Sequence, residues 1–193
     1  MASITWGVCL LAAGGLAFAQ APPDPNQPTF TFGTTVVIPS GLEGKIYHIP
    51  ENSDRLPNFR KMKSVGTIYT TSLNLPPQDF KQGFPGVTKR FEWFAIDYTG
   101  RFWAEKPGYY DFQLLSDDGA LLYIDKELII DNDGIHGAKE GTGSILLQKG
   151  AHDIRVSYFQ GPGVQIALVL KVKPPREQMR VFNTDDLKPP PNP

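Results

Sequence analysis

In three runs between Tyr110 and Val172 apolar residues return at every second position, the period of a strand buried on one face. Tyr110, Phe112 and Leu114 alternate with Asp111 and Gln113, and Ile154, Val156 and Tyr158 alternate with Arg155 and Ser157. Ile166, Leu168, Leu170 and Val172 do the same against Ala167, Val169 and Lys171. No stretch keeps the helical spacing of apolar residues, so a helical bundle is excluded. The 18 prolines and 19 glycines lie mostly at the ends or between the apolar runs, where they make turns. With 40% hydrophobic residues the chain can bury a core. The expected fold is all-β, a single β-sandwich or closed barrel.

Asp117-Asp118-Gly119 interrupts this pattern. Leu114-Leu115-Ser116 leads into it and Ala120 to Asp125 leads out, both strand-like. Neighbouring residues of a strand point to opposite faces. Two carboxylates converge only where the backbone leaves the strand, through a turn or a cis peptide bond. Converging anions repel, and a hard cation with oxygen ligands, calcium above all, offsets the repulsion. The competing reading is a solvated Asp-Asp-Gly turn joining two strands.

Residues 1–19 read as a signal peptide. Trp6 to Phe18 is apolar, and Ala17-Phe18-Ala19 is a small-x-small cleavage pattern, although no Lys or Arg precedes it. The run falls short of the roughly 20 residues of a spanning helix, so no membrane span is expected in the mature chain. An uncleaved anchor is the alternative. Cleavage removes Cys9, the single cysteine, and with it any disulfide. A secreted, periplasmic or cell-surface location follows. Residues 20–28 form a proline-rich extended linker, and residues 29–40 an N-terminal strand segment. The main domain is expected over residues 41–175, with loops over Pro50–Lys63 and Pro76–Lys89, a turn at Thr99-Gly100 and a tight turn at Asp125-Lys126-Glu127. Residues 176–193 are expected as an extended tail, with Val181-Phe182 as a short edge strand.

Several functions are disfavoured. The formal net charge of -1 gives no basic surface for nucleic acid. His48, His136 and His152 are too widely spaced for a zinc pattern, and only His136 adjoins a polar loop. Asp131-Asn132-Asp133-Gly134 fails the EF-hand template, because Ile129 stands where an oxygen ligand is needed, and reads as a turn. There is no Gly-x-Ser-x-Gly elbow, and no second carboxyl stands out at the roughly 5–10 Å that glycoside hydrolysis needs. The chain is not read as an enzyme. Trp93, Trp103, Tyr109 and Tyr110 would stack on sugar rings if exposed and belong to the core if not.

Taken together, Gly41-Leu42-Glu43-Gly44-Lys45-Ile46-Tyr47 resembles the opening of the protective-antigen-type module called the PA14 domain. Phe102-Trp103-Ala104, Pro107 to Phe112, Ser116 to Gly119, Tyr123-Ile124-Asp125 and Ile130-Asp131-Asn132 resemble its centre. Ile145-Leu146-Leu147 with Gly150 to Val156 resembles its closing hairpin. The resemblance implies a β-barrel or sandwich found in adhesins, toxins and secreted carbohydrate-active enzymes. In lectin-like members a cis-linked aspartate pair holds calcium, which holds sugar hydroxyls; Asp117 and Asp118 match that pair. Their second loop supplies an Asn and backbone carbonyls, and this chain has Gln160, Gly161, Pro162 and Gly163 there. The implied metal ligands are Asp117, Asp118 and Gln160, and the implied ligand-binding residues are Asp117, Asp118, Gly119, Gln160, Gly161 and Gly163. The expectation is a secreted, non-catalytic module that binds a glycan or glycosylated surface with the help of calcium. The alternative is a structural module of the cell envelope whose partners are other envelope proteins.

Overall fold

The computed structural model describes residues 31–189. The expected signal peptide and proline-rich linker lie outside them, as do residues 190–193. The strands are β1 (Leu42–His48), β2 (Gly66–Thr70), β3 (Asn74–Asp79), β4 (Phe94–Ala104), β5 (Gly108–Asp117), β6 (Ala120–Ile124), β7 (Glu127–Asn132), β8 (Lys139–Leu147), β9 (Gly150–Gln160), β10 (Gln165–Lys173) and β11 (Arg180–Val181). One sheet runs β2-β1-β4-β9-β6-β7 and the other β11-β10-β5-β8, with β3 also paired to β10. Every pairing is antiparallel. The result is the expected all-β sandwich. Among the described residues no helix is long and apolar enough to cross a membrane.

The period-two pattern directs side chains as it should. Tyr110, Phe112, Leu114 and Ser116 of β5 are buried, as are Ile154, Val156 and Tyr158 of β9 and Ile166, Leu168, Leu170 and Val172 of β10. At one end of the sandwich the core is aromatic. Phe94 packs against Phe32, Phe80, Phe84 and Tyr158 with ring centroids 4.9–6.1 Å apart. At the same end β9 is covered on its other face too. There Phe159 is buried with Ile49 and Ala95, and Leu56, Phe59, Met62 and Trp93 pack over them. The loop over Pro50–Lys63 supplies most of that cover and contains a single 3-10 turn, Phe59–Lys61.

Four expectations change. Thr99 and Gly100 make no turn, because β4 passes through them with its register to β9 intact. Gly100 serves packing instead, since a β-carbon there would lie 2.7 Å from Leu42 Cδ2. Pro76 and Pro77 lie within β3, where the lack of an N–H is tolerated because β3 is an edge strand paired only to β10. The described part of residues 29–40 makes one bridge, Thr34 to Tyr69, and no strand; its contribution is Phe32, buried among the rings. The C-terminal segment forms the expected short edge strand one residue earlier, at Arg180–Val181, but its described part packs on the core where an extended tail was expected. β11 completes the edge of β10 beyond β3, Phe182 is fully buried against Phe102, and the Trp103 N–H donates to the Leu187 carbonyl at 2.7 Å. The Asp125-Lys126 turn is as expected, with φ of 49° and 73° and no glycine.

Candidate functional site

The end of β5, the loop after β7 (residues 133–138) and the loop after β9 meet at one end of the sandwich. The Asp117–Asp118 peptide is cis. Asp118 is 4% exposed. Its Oδ1 accepts the His136 N–H at 3.0 Å and its Oδ2 accepts the Gly161 N–H at 2.8 Å. One carboxylate therefore ties the loop after β7 to the loop after β9. Asp117 is partly buried, and the Ala138 N–H is directed to its carboxylate. Burial raises the Asp117 carboxyl above its ordinary value, and the Asp118 charge raises it further. Burial likewise raises Asp118, against the lowering effect of the Gly161 and His136 N–H groups.

Gly119 makes the turn possible, since a β-carbon there would overlap the Phe159 ring. Its carbonyl accepts the Phe159 N–H at 2.9 Å. The turn is anchored from below by Tyr158. This hydroxyl lies 2.5 Å from the Asp117 carbonyl oxygen and 2.7 Å from Gln160 Oε1, two acceptors for one proton. Burial pushes the Tyr158 phenol well up, so the hydroxyl remains a donor. Because its ring belongs to the aromatic core, the turn is fastened directly to that core. Replacing Tyr158 by Phe leaves both acceptors without this donor. We expect a loss of about 1–3 kcal/mol in a urea unfolding curve, with the far-UV spectrum unchanged.

Gln160 has a role other than the one expected. Its side chain is fully buried. Oε1 faces the Tyr158 hydroxyl, and Nε2 donates to the Gln165 carbonyl at 3.0 Å and the Gly163 carbonyl at 3.4 Å. It braces its loop from inside, and this geometry does not present it as a metal ligand. Gly161 is buried and meets Asp118 through its N–H, while its carbonyl accepts the Trp93 N–H at 3.3 Å. Gly163 is exposed, with φ of 98°, and its N–H donates to Glu92 Oε1 at 2.6 Å. Asp117, Asp118, Gly119 and Gly161 thus come together, with Gln160 and Gly163 shaping the loop around them.

Sequence reasoning missed the contributions of Glu92 and Ile135, and it named Trp93 only as one of four aromatics that stack on sugar if exposed. Trp93 is half-buried with φ of 54°, uncommon for a bulky residue, and is held by bonds to Gly161 and Ile49. Ile135 is 49% exposed and borders Gly161. His136, singled out for the polar loop beside it, enters through its backbone N–H; its ring nitrogens face the Gly137 and Asn132 carbonyls at 2.9 and 3.0 Å. Of the expected Asp131–Gly134 turn, Asp131 and Asn132 are instead the last residues of β7, paired with Leu121 and Ala120, and the chain leaves the strand at Asp133. Asn132 is buried and donates to Ser116 Oγ and the Lys139 carbonyl. Asp133 Oδ1 accepts the Leu56 N–H. Of the other aromatics, Tyr110 is buried, Trp103 is half-buried with its indole N–H on Glu105, and Tyr109 is 66% exposed on the outer face of the other sheet.

In chemistry the donor set fits a hard cation. It offers two desolvated carboxylates, and each Asp118 oxygen keeps a lone pair after accepting one N–H. Among the described residues no group of three or more His, Cys, Asp or Glu side chains gathers to hold a metal. An ion at this turn would complete its shell with backbone carbonyls or water.

The family model for the PA14 domain matches residues 41–185. The fold is similar to a PA14 sugar-binding domain from an RTX adhesin, at 16% identity over 75% of this chain and 96% of that one, with TM-score 0.63. It is also similar to the A domain of epithelial adhesin 9 from Candida glabrata in complex with Galb1-3GlcNAc, at 13% identity over 80% and 92%, with TM-score 0.54. A third similar structure is an anti-sigma factor domain-containing protein, at 22% identity and TM-score 0.60. There the match covers 79% of this chain but 48% of the other, so this chain spans about half that protein's length. Likeness at these identities is one of fold. No curated protein matches the chain.

Proposed function

Since the chain belongs to the PA14 domain family, we propose that it is a secreted, non-catalytic carbohydrate-binding module with a calcium-assisted glycan site at Asp117 and Asp118. The observation that carries this reading is the pair of desolvated carboxylates on adjacent residues where two loops meet. A bound calcium ion would supply a Lewis-acid contact to vicinal sugar hydroxyls. Asp117 and Asp118 would hold it, and the N–H bonds to Asp118 keep both loops in place. Ile135 and Trp93 border the site and offer apolar surface to the C–H face of a sugar ring. The sugar-binding domains of the same fold support the glycan part of the reading. The apolar leader at residues 6–18 supports placing the protein outside the cytoplasm, on or near a surface that bears glycans.

Calcium at about a hundred times its dissociation constant is expected to stabilise the fold by about 2.7 kcal/mol, read as a rise in Tm that a chelator reverses. The same preparation should retain glycans on an array only when calcium is present. The pH dependence has a definite sign. Because both carboxyls are raised in the folded state, the calcium-free fold is penalised once they ionise. That penalty disappears as pH falls through the raised range towards the ordinary one. Calcium needs the ionised forms, so its stabilising effect disappears in the same window. Melting curves with and without calcium should converge on acidification.

One observation favours a second reading, a structural or protein-interaction module of the cell envelope. Both Asp118 oxygens already accept backbone N–H groups and so shape the turn without a metal. On that reading Tm is indifferent to calcium and chelator at every pH, and the glycan array is blank.

A further inference from the structure

Beyond the Asp pair, the outer face of the six-stranded sheet carries a groove with a different chemistry. Its volume is about 460 Å³, and its walls include Arg60, Thr99, Tyr123, Lys126 and Arg155. The register places Thr99, Arg155 and Tyr123 in one row across β4, β9 and β6. Arg155 is fixed within that row. Its guanidinium carbon lies 5.7 Å from the Phe59 ring centroid and 5.5 Å from that of Tyr123. Its Nε donates to Asp97 Oδ1 at 2.7 Å, and the Ser157 hydroxyl donates to the same oxygen at 2.8 Å. Its terminal nitrogens meet no acceptor among the described residues. With Nε taken by Asp97, the two terminal NH2 groups keep four N–H donors for a ligand.

The rims add charge. Arg60 stands in the 3-10 turn and Lys126 in the turn between β6 and β7, and both are exposed. Neither makes an ion pair among the described residues. The acidic residue in the wall, Asp153, is paired with Arg101 at 2.8 Å. Asp125, beside Lys126, is directed to His152 Nδ1 at 2.6 Å and to the Asp153 N–H at 2.8 Å. Arg60 and Lys126 therefore stand over the groove with no ion-pair partner among the described residues, whereas Arg155 shares its charge with Asp97, in a chain whose formal net charge is -1.

We infer that this groove is a second binding site, which takes the anionic group of an acidic saccharide, carboxylate or sulfate. Arg155 meets the anion from a pre-oriented position, and Arg60 and Lys126 close on it from the rims. The half-buried Tyr123 ring supplies an apolar wall for the sugar, and the Thr99 hydroxyl supplies a neutral polar contact. The volume lies within the roughly 300–1,000 Å³ of small-ligand sites. A long nucleic acid is disfavoured because the chain's formal net charge is -1. The groove is separate from the Asp117–Asp118 turn. Arg155 and Gly161 are six residues apart along an extended chain, roughly 20 Å. The inference does not rest on the calcium-assisted reading.

The test is affinity electrophoresis of the full chain in chelator, against polygalacturonate, dextran sulfate, neutral dextran and single-stranded DNA. Chelator disables any calcium-dependent binding at the Asp pair, so failure of that reading is scored separately. The wild type should be retarded by polygalacturonate, dextran sulfate or both, which distinguishes carboxylate from sulfate, and not by neutral dextran. The double variant Arg60→Gln/Lys126→Gln alters only exposed side chains and should bind at least about tenfold more weakly. The inference is overturned by no retardation in either anionic polymer, by equal binding of the double variant, or by equal retardation in neutral dextran or DNA.

Discussion

Replacing Asp118 by alanine lowers the unfolding free energy by about 2–4 kcal/mol. The change leaves the N–H groups of His136 and Gly161 without their acceptor, and Gly161 is buried. A hydrogen bond to a charged group contributes about 1.5–3 kcal/mol. Two such bonds exceed the expected net loss, because the carboxylate is itself desolvated and its removal relieves part of that cost. For a domain of this size Tm should fall by about 5–15 °C. Asp118→Asn keeps one acceptor oxygen but turns an NH2 group towards an N–H donor, so its Tm should lie between the two. Hydrogen exchange should report the same event locally, with faster exchange at His136 and Gly161 and unchanged protection in β5 and β9. A Tm for Asp118→Ala equal to that of the wild type, measured in chelator, would show that the carboxylate does not tie the loops. Glycan retention should be lost in both variants if the calcium-assisted reading holds.

The largest loss is expected at Phe94. Its side chain is fully buried and touches four rings that arrive from three separate parts of the chain: Phe32 before β1, Phe80 and Phe84 after β3, and Tyr158 in β9. Phe94→Ala should cost about 3–5 kcal/mol, with a fall in Tm on the order of 10 °C or more. Collapse of the long connections at residues 31–40 and 80–88 would soften the loss towards the lower value. Phe94→Leu keeps most of the volume and should cost roughly half as much. The substitution also tests how the turn is supported. Tyr158 carries the hydroxyl under Asp117, so loosening its ring should weaken any calcium-induced rise in Tm. Unchanged stability in Phe94→Ala would show that the aromatic cluster does not hold that end of the sandwich together.

Much of the candidate site's outline was readable from residue order because its parts are local. The Asp-Asp-Gly interruption and the glycine loop after Gln160 both stand out against a period-two background. What residue order did not reveal was which groups face them. Gln160 resembled a ligand because its amide oxygen is chemically suitable. Its environment is decided by Tyr158, two residues away on the same strand face, and by the Gln165 carbonyl across the loop. Glu92 and Ile135 carried no local signal, and for Trp93 residue type alone did not separate a place at the site from a place in the core. Gly100 gave a false signal. Glycine marks turns and also close approaches, and only the position of Leu42 shows which applies. The two prolines of β3 misled for a related reason: an edge strand needs only half of its N–H groups, and edge position is a property of the whole sheet.

The order of residues alone determined that this chain makes strands, that each strand buries one face in a sandwich or a closed barrel, and that paired acids interrupt the strand pattern at Asp117 and Asp118. Each of these follows from a short-range repeat, because a strand directs alternate side chains to opposite faces whatever surrounds it. Tertiary structure alone decided that Asp118 bridges two loops, that Phe182 and Leu187 close the far end of the sandwich, and that Arg60, Lys126 and Arg155 share a groove. These depend on contacts between residues far apart in the chain. Such contacts are set by sheet order and register, which no local pattern encodes.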